Sequence, residues 1–302
     1  MHGIIPILYA FFQSDGALDR DAMRAQVQAI CAQGPPALAV LGLATEVGKL
    51  TPDERASVID WTAQDRDPDC PLVVTIAGDT VAQQRALARH AIARGARALI
   101  LQPPSRRGEP ESFYFDFFAE VMDGLPVDVG IQNAPEYLGV GLGPTALRRL
   151  AGQCANFRLL KGEGPATVIR ETILALDGLM PVLNGRGGLE LVDNLRAGCA
   201  GMIVAPEAFD AQSRVYSCFS RGDETGAEAA YREVLPLIVF VMQSLDAMLC
   251  YGKRIAALRL GIGPVHDRDP AMAPTVFGLA CAERFARALG PFDPTSGSRR
   301  SP

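Results

Sequence analysis

The sequence predicts an α/β protein, a (β/α)8 barrel of the TIM type followed by a C-terminal helical extension. Three observations carry this. Eight short, continuously apolar segments alternate with helix patterns over roughly the first 220 residues, and such segments suit parallel strands covered on both faces. Eight regular strand–helix units fit a closed barrel better than an open doubly wound sheet, which is the alternative architecture. No Gly-x-Gly-x-x-Gly follows the first strand pattern, so the usual sign of a dinucleotide fold is missing.

Taken in order, Ile4 to Tyr9 is apolar and rich in β-branched residues and reads as the first strand. Asp15-Gly16 turns the chain, and Asp19 caps a helix reaching about Gln33. Leu38 to Leu41 is the second strand. Thr51, Pro52 and Glu54 stand at the N-cap, first and third positions of a helix that runs to Asp65. Leu72 to Ile76 is the third strand, and Thr80 caps a helix ending near Arg94-Gly95. Ala98 to Leu101 is the fourth; a Pro/Arg/Gly-rich loop, 103–110, leads to a helix ending near Met122. Val127 to Ile131 is the fifth, and Pro144 opens a helix to about Gly152. Phe157 to Leu160 is the sixth, and Pro165 opens a helix to about Leu176. Leu179 to Leu183 is the seventh, followed by glycine-rich 184–188 and a helix ending at Ala197-Gly198. Met202 to Val204 is the eighth, with a helix through Tyr216.

The barrel thus occupies 1–221 and a helical region 222–292. Ala227 to Leu249 is long and apolar, with Pro236 as a kink or break near its middle. Such a helix needs cover from the barrel or from another subunit. Tyr251-Gly252-Lys253-Arg254 and Pro264 punctuate the chain beyond it, and Pro274 to Leu289 is a last helix. The Ser/Arg-rich end, 293–302, reads as a flexible tail.

Composition narrows the function. The 302 residues are 48% apolar and 21% charged, with a net charge of −5 and a pI near 5.3. No basic face suggests nucleic acid and no apolar run reaches the length of a membrane span. The N-terminus lacks the basic start and cleavage site of a signal peptide. Seven cysteines, scattered and without a Cys-x-x-Cys, suggest free thiols in a reducing cytoplasm rather than zinc ligands.

In a barrel the ends of the strands carry the active site. Those ends gather Tyr9, Gly42 to Glu46, Gln102, Gln132-Asn133, Lys161-Gly162-Glu163, Asn184-Gly185-Arg186 and Ala205-Pro206. No histidine falls among them, which argues against a histidine base or a histidine metal site; neither metal nor cofactor is expected. The chain has only three lysines, Lys49, Lys161 and Lys253, among 29 basic residues. Lys161, at the end of an apolar strand, is a candidate imine-forming nucleophile. Bringing a free amine from a pKa of about 10.4 to about 7–8 takes about 3–4 kcal/mol, within reach of desolvation in a barrel mouth. Residues two apart in an extended segment point the same way, so Glu163 can share a face with Lys161; the alternative is a loop or helix-start carboxylate. The Thr45-Glu46 backbone amides with the Thr45 hydroxyl can hold a substrate carboxylate. Glu46 either holds this loop or acts as an acid or base. Arg186 can bind a carboxylate or a sugar hydroxyl, or form a surface ion pair.

These residues resemble the dihydrodipicolinate synthase/N-acetylneuraminate lyase family of Schiff-base aldolases and lyases, over about residues 3–290. Gly3-Ile4-Ile5-Pro6 with Asp15 to Asp19 is similar to the family's opening. Gly42 to Glu46 followed by Leu50-Thr51-Pro52-Asp53-Glu54-Arg55 resembles its Gly-Thr-Thr-Gly-Glu…Leu-Thr-x-x-Glu-Arg segment. Gln132 to Pro135 falls on Tyr-Asn-x-Pro, Lys161 on the Schiff-base lysine, and Gly198 to Ile203 on Gly-x-x-Gly-x-Ile-Ser. Leu43 and Ala44 stand for the family's two threonines, Gln132 for its acid–base tyrosine, Pro104 and Ser105 for the synthase's tyrosine pair, and Tyr137 for its arginine. These departures point away from a true dihydrodipicolinate synthase.

Gln132-Asn133-Ala134-Pro135 and Lys161-x-Glu163-x-Pro165 look more like the branch of 2-keto-3-deoxy-sugar-acid dehydratases. The resemblance implies a small 2-oxo acid substrate, an imine on Lys161, an enamine after loss of a C3 proton, and expulsion of the C4 hydroxyl. Lys161, Glu163 and Gln132 would be catalytic, and Ala44, Thr45, Glu46, Asn133, Gly185, Arg186 and Ile203 would bind substrate. It also implies a homotetramer or homodimer. Two alternatives stay open: an aldolase that releases or uses pyruvate on the same imine, and a non-catalytic 2-oxo-acid-binding protein.

Overall fold

The computed structural model describes residues 1–292; the tail expected at 293–302 lies outside the described residues. Eight parallel strands form one sheet: β1 (Gly3–Pro6), β2 (Leu38–Val40), β3 (Leu72–Ile76), β4 (Ala96–Leu101), β5 (Asp128–Asn133), β6 (Phe157–Gly162), β7 (Val182–Asn184) and β8 (Gly201–Val204). From β2 to β8 each strand pairs with the next in sequence, and β8 pairs with β1. The ring closes just past β1, where Ile7 bridges Ala39 and the Leu8 N–H donates to the Ala39 carbonyl at 2.9 Å. Closure leaves no open edge. The strands are buried on both faces; Arg97, Asp128 and Arg158, near the starts of β4, β5 and β6, are the exposed exceptions.

The helices begin where local chemistry places them. The Asp19 carboxylate accepts from the Asp21 and Ala22 N–H groups at the start of Arg20–Cys31. Thr51 and Glu54 form a reciprocal capping box on Pro52–Asp65, and Thr80 and Gln83 form another on Val81–Ala93. Such caps are each worth about 1 kcal/mol. The helix after β4 is Glu111–Met122, and Pro144–Gln153, Ala166–Leu176 and Leu191–Ala197 follow β5, β6 and β7.

The C-terminal region differs from the sequence expectation in two places. Glu224–Val241 is one helix straight through Pro236. Pro236 and Arg232 are both exposed, so the carbonyl that loses its partner faces water. The chain breaks instead at 242–244, where it bends by 108°. There Ser244 caps the next helix by accepting from the Ala247 N–H. That helix runs from Leu245 to Leu260 through a π turn, Met248–Gly252, so Tyr251 to Arg254 lie within it rather than punctuating it. A Cβ on Gly252 would collide with the Tyr9 hydroxyl, and the glycine lets this turn sit directly on the barrel. A last helix, Val276–Leu289, is capped by Thr275. No single described helix is long and apolar enough to cross a membrane.

Candidate active site

Lys161 is the last but one residue of β6 and stands opposite Gln132 of β5. The extended path continues past the strand, because the Glu163 N–H donates to the Asn133 carbonyl at 2.9 Å. Lys161 and Glu163 therefore share a face, as their spacing predicts, and Lys161 Nζ lies 2.8 Å from Glu163 Oε1. Both side chains are about 5% exposed. The other carboxylate oxygen accepts from Gln132 Nε2 at 3.1 Å. Gln132 Oε1 in turn accepts from Gln102 Nε2 at 2.8 Å, and Gln84 Nε2 donates to the Gln102 carbonyl at 2.8 Å. The Gln102 amide fixes the orientation of Gln132, so the carboxylate is held from behind while its other oxygen meets the lysine; the Gln84 bond is to the Gln102 backbone and steadies the strand end.

Gly185 belongs to this arrangement sterically. A Cβ there would collide with the Glu163 carboxylate, so the glycine after β7 is what lets the loop close on it. Asn184 anchors the loop by donating to the Gly164 carbonyl at 2.9 Å and to Asn194 Oδ1 at 2.7 Å, while its own Oδ1 accepts from the Gly185 N–H. Lys161 and Glu163 open into a cleft of about 480 Å³, its mouth included. Arg186 and Tyr137 add polar groups to it; Ile7, Leu43, Ala44, Ile203 and Ala205 line it from the barrel. Met242, Leu245 and Met248 close it from the helical region.

The other expected site residues divide. Ala44 and Ile203 line the cleft, and so does Arg186, whose Nη1 also pairs with Glu190 Oε2 at 2.7 Å. Thr45 faces away. Its hydroxyl donates to the Leu8 carbonyl at 2.6 Å and accepts from the Leu41 N–H at 3.0 Å. The Thr45 and Glu46 N–H groups are also committed, to the Gly42 and Leu43 carbonyls at 3.1 and 3.0 Å. The amides open to a ligand are the preceding two, of Leu43 and Ala44, which carry no hydrogen bond among the described residues. Glu46 is buried between Lys253, in a close ion pair, and Lys49 at 2.6 Å, which favours the structural of its two readings. The Asn133 amide donates to the Leu142 carbonyl at 3.0 Å and accepts from the Leu142 N–H at 2.7 Å, so both its ends hold a loop.

Two contributions escaped the sequence. Gln102 sits at a strand end, but nothing local shows that it orients Gln132. Met242, Leu245 and Met248 come from the helical region, whose apolar character asks for cover without saying where. Among the described residues no group of three His, Cys, Asp or Glu could hold a metal ion.

Comparison with known proteins finds relatives over most of the chain. The chain is 26% identical to 4-hydroxy-tetrahydrodipicolinate synthase of Methanothrix thermoacetophila over 89% of this chain and 93% of that one. It is also 26% identical to L-2-keto-3-deoxyarabonate dehydratase of Azospirillum brasilense over 78% of each. In fold it is similar to the crystal structure of YagE from Escherichia coli K12 in complex with pyruvate, with a TM-score of 0.86 at 22% identity, covering 96% of this chain and 98% of that one. The family model of the dihydrodipicolinate synthetase family matches residues 1–262, a stretch that holds the whole barrel, the lysine on its sixth strand and the roof of the cleft. The chain therefore belongs to the dihydrodipicolinate synthetase family, whose members are Schiff-base lyases and aldolases.

Proposed function

We propose that this protein is an imine-forming lyase that dehydrates a 4-hydroxy-2-oxo acid, the chemical class to which 2-keto-3-deoxy sugar acids belong. The contact between Lys161 and Glu163, with Gln132 behind the carboxylate, carries this reading. The substrate carboxylate meets the Leu43 and Ala44 N–H groups. Glu163 takes a proton from Lys161, and the free amine attacks the 2-oxo carbon. Glu163 returns that proton to the carbinolamine hydroxyl, which leaves as water, and a protonated imine forms. The imine draws electrons from C3, and Glu163 removes a C3 proton to give the enamine. The enamine electrons then form the C3–C4 double bond as the C4 hydroxyl leaves, protonated by Glu163. Hydrolysis consumes one water, frees the product and restores Lys161.

Dehydration is preferred because Glu163, against the lysine nitrogen, stands beside C3, two bonds from that nitrogen. Aldol cleavage needs a base at the C4 hydroxyl instead. Tyr137, which lines the cleft, supplies a phenol for that second reading. Borohydride reduction in the presence of a 2-oxo acid is expected to add the ligand's mass to the peptide bearing Lys161, and not in Lys161→Met. No adduct on the wild-type peptide would sink the imine mechanism. Pyruvate release, read by a coupled lactate dehydrogenase assay, would favour aldol cleavage over dehydration. The proposal extends to a cytoplasmic homodimer or homotetramer: Val276 and Phe277 stand 87% and 77% exposed, and light scattering reads the mass.

A further inference from the structure

The two sides of the cleft differ in chemistry. Lys161, Glu163 and Arg186 stand together on the side of β6 and β7. Apart from the Tyr137 phenol, the remaining wall and the roof are hydrocarbon and thioether: Leu43 and Ile203 from the barrel, Met242, Leu245 and Met248 from above. This roof is built into the fold. Met242 packs on the loop that carries Arg186, so closely that a Cβ on Gly187 would collide with its sulfur and lie 2.6 Å from its Cγ. Leu245 opens the helix after the 108° bend, and Met248 opens the π turn that rests on Tyr9, whose hydroxyl oxygen lies 3.4 Å from the Met248 carbonyl.

Most of the polar groups already have tasks. Lys161 and Glu163 face the carbons that react, the Leu43 and Ala44 amides face the carboxylate, and one nitrogen of Arg186 is paired with Glu190; the Tyr137 phenol is one further polar group on the lining. A polyhydroxylated chain running outward from C4 would carry several hydroxyls against carbon and sulfur. Those set against the roof would give up water without a replacement partner. An alkyl or aryl chain would instead bury its own surface there, and thioethers pack favourably against aromatic rings.

We propose that the substrate carries an apolar alkyl or aryl group beyond its reacting carbons, set against the wall formed by Leu43, Met242, Leu245 and Met248, rather than the polyol chain of a sugar acid. The proposal rests on the imine reading for the pose of the acid's head, and the two can be tested apart. Calorimetry on Lys161→Met, which can neither form the imine nor turn the acids over, ranks affinity without chemistry, using 2-oxoheptanoate, 2-keto-3-deoxygluconate and pyruvate as probes. Borohydride trapping of pyruvate reports the imine alone. A buried methylene corresponds to about fourfold in affinity. With partial burial, 2-oxoheptanoate is expected to bind at least about tenfold more tightly than the polyol acid. Leu245→Asn and Met248→Gln should each shrink that ratio by about threefold or more. A ratio measured within one variant does not move when part of the sample is unfolded. Equal or tighter binding of the polyol acid would overturn the proposal, as would undetectable binding of 2-oxoheptanoate at millimolar concentration. Failure of pyruvate to label Lys161, with the order of affinities preserved, would overturn the imine reading and leave the apolar wall standing.

Discussion

At the scale of the residue, Glu163 acquires its role from what stands around it: a lysine in front, an amide behind and a glycine beneath. Glu163→Gln keeps the volume and the chance to bond Gln132 but cannot take up a proton. Turnover is expected to fall by about 10²–10⁴, and borohydride labelling of Lys161 with pyruvate should slow, because Glu163 also frees the amine. Labelling at the wild-type rate in that variant would confine Glu163 to proton transfer at C3. Glu207 presents a different case. It is buried under the π turn, where Tyr9 donates to its Oε2 at 2.9 Å. Burial pushes its carboxyl up to about 7, against the smaller opposing effects of the Tyr9 hydroxyl and Arg259. Between about pH 4.5 and 7 the folded protein then holds a proton that the unfolded chain has released. This group's contribution to stability is therefore complete below that window and lost as pH rises through it, by roughly 3 kcal/mol in all. Glu207→Gln keeps an acceptor for Tyr9 and removes the titration. Urea unfolding should show the variant gaining on the wild type as pH goes from 5 to 8; a constant difference would contradict this.

At the scale of the element, what the sequence makes legible is what depends on near neighbours. Asp19, Thr51 with Glu54, and Thr80 with Gln83 begin their helices as read, because a cap involves groups three residues apart. The strands are legible because burial on both faces leaves continuous apolar runs. Lys161 and Glu163 come together because two residues is the period of a strand. Pro236 misleads because whether a proline bends a helix depends on which side meets solvent, which is settled by packing. Thr45 misleads for a like reason: its partners are Leu41, four residues back, and Leu8, just past β1. The Leu41 contact matters, since that buried residue sits at a φ of +64°, unusual for a side chain of its kind. Thr45 thus stitches the turn that presents the Leu43 and Ala44 amides. Thr45→Val would leave a buried carbonyl and a buried N–H without partners, lowering stability by about 1–3 kcal/mol. If the turn then loosens, the KM for the 2-oxo acid should rise more than kcat falls, and steady-state kinetics on the folded variant separates the two.

At the scale of the whole molecule, the helical region is fastened to the barrel by charge as well as by apolar contact. Lys253 is fully buried in a close pair with Glu46 at the end of the second strand unit. Arg268 reaches Glu54 of the Pro52–Asp65 capping box at 2.6 Å, and Arg259 reaches Asp210 of the helix after β8 at 2.7 Å. Ala227, Met248, Ala256 and Ala257 share one apolar core with the strands. The division at residue 221 is then one of topology, and 1–292 should unfold as one unit. Trp61, the chain's single tryptophan, lies on a barrel helix, so its fluorescence follows the barrel while far-UV circular dichroism follows every helix. Coincident urea transitions are expected from the two probes, and separated ones would restore two units. Lys253→Met tests the fastening itself. It leaves Glu46 buried with Lys49 as its remaining cation partner, and removing one member of a buried pair lowers stability by about 3–5 kcal/mol. The double variant Glu46→Gln/Lys253→Met removes the stranded charge and should regain most of that loss. If it is no more stable than Lys253→Met, the joint between barrel and roof is held by packing, and the ion pair contributes little.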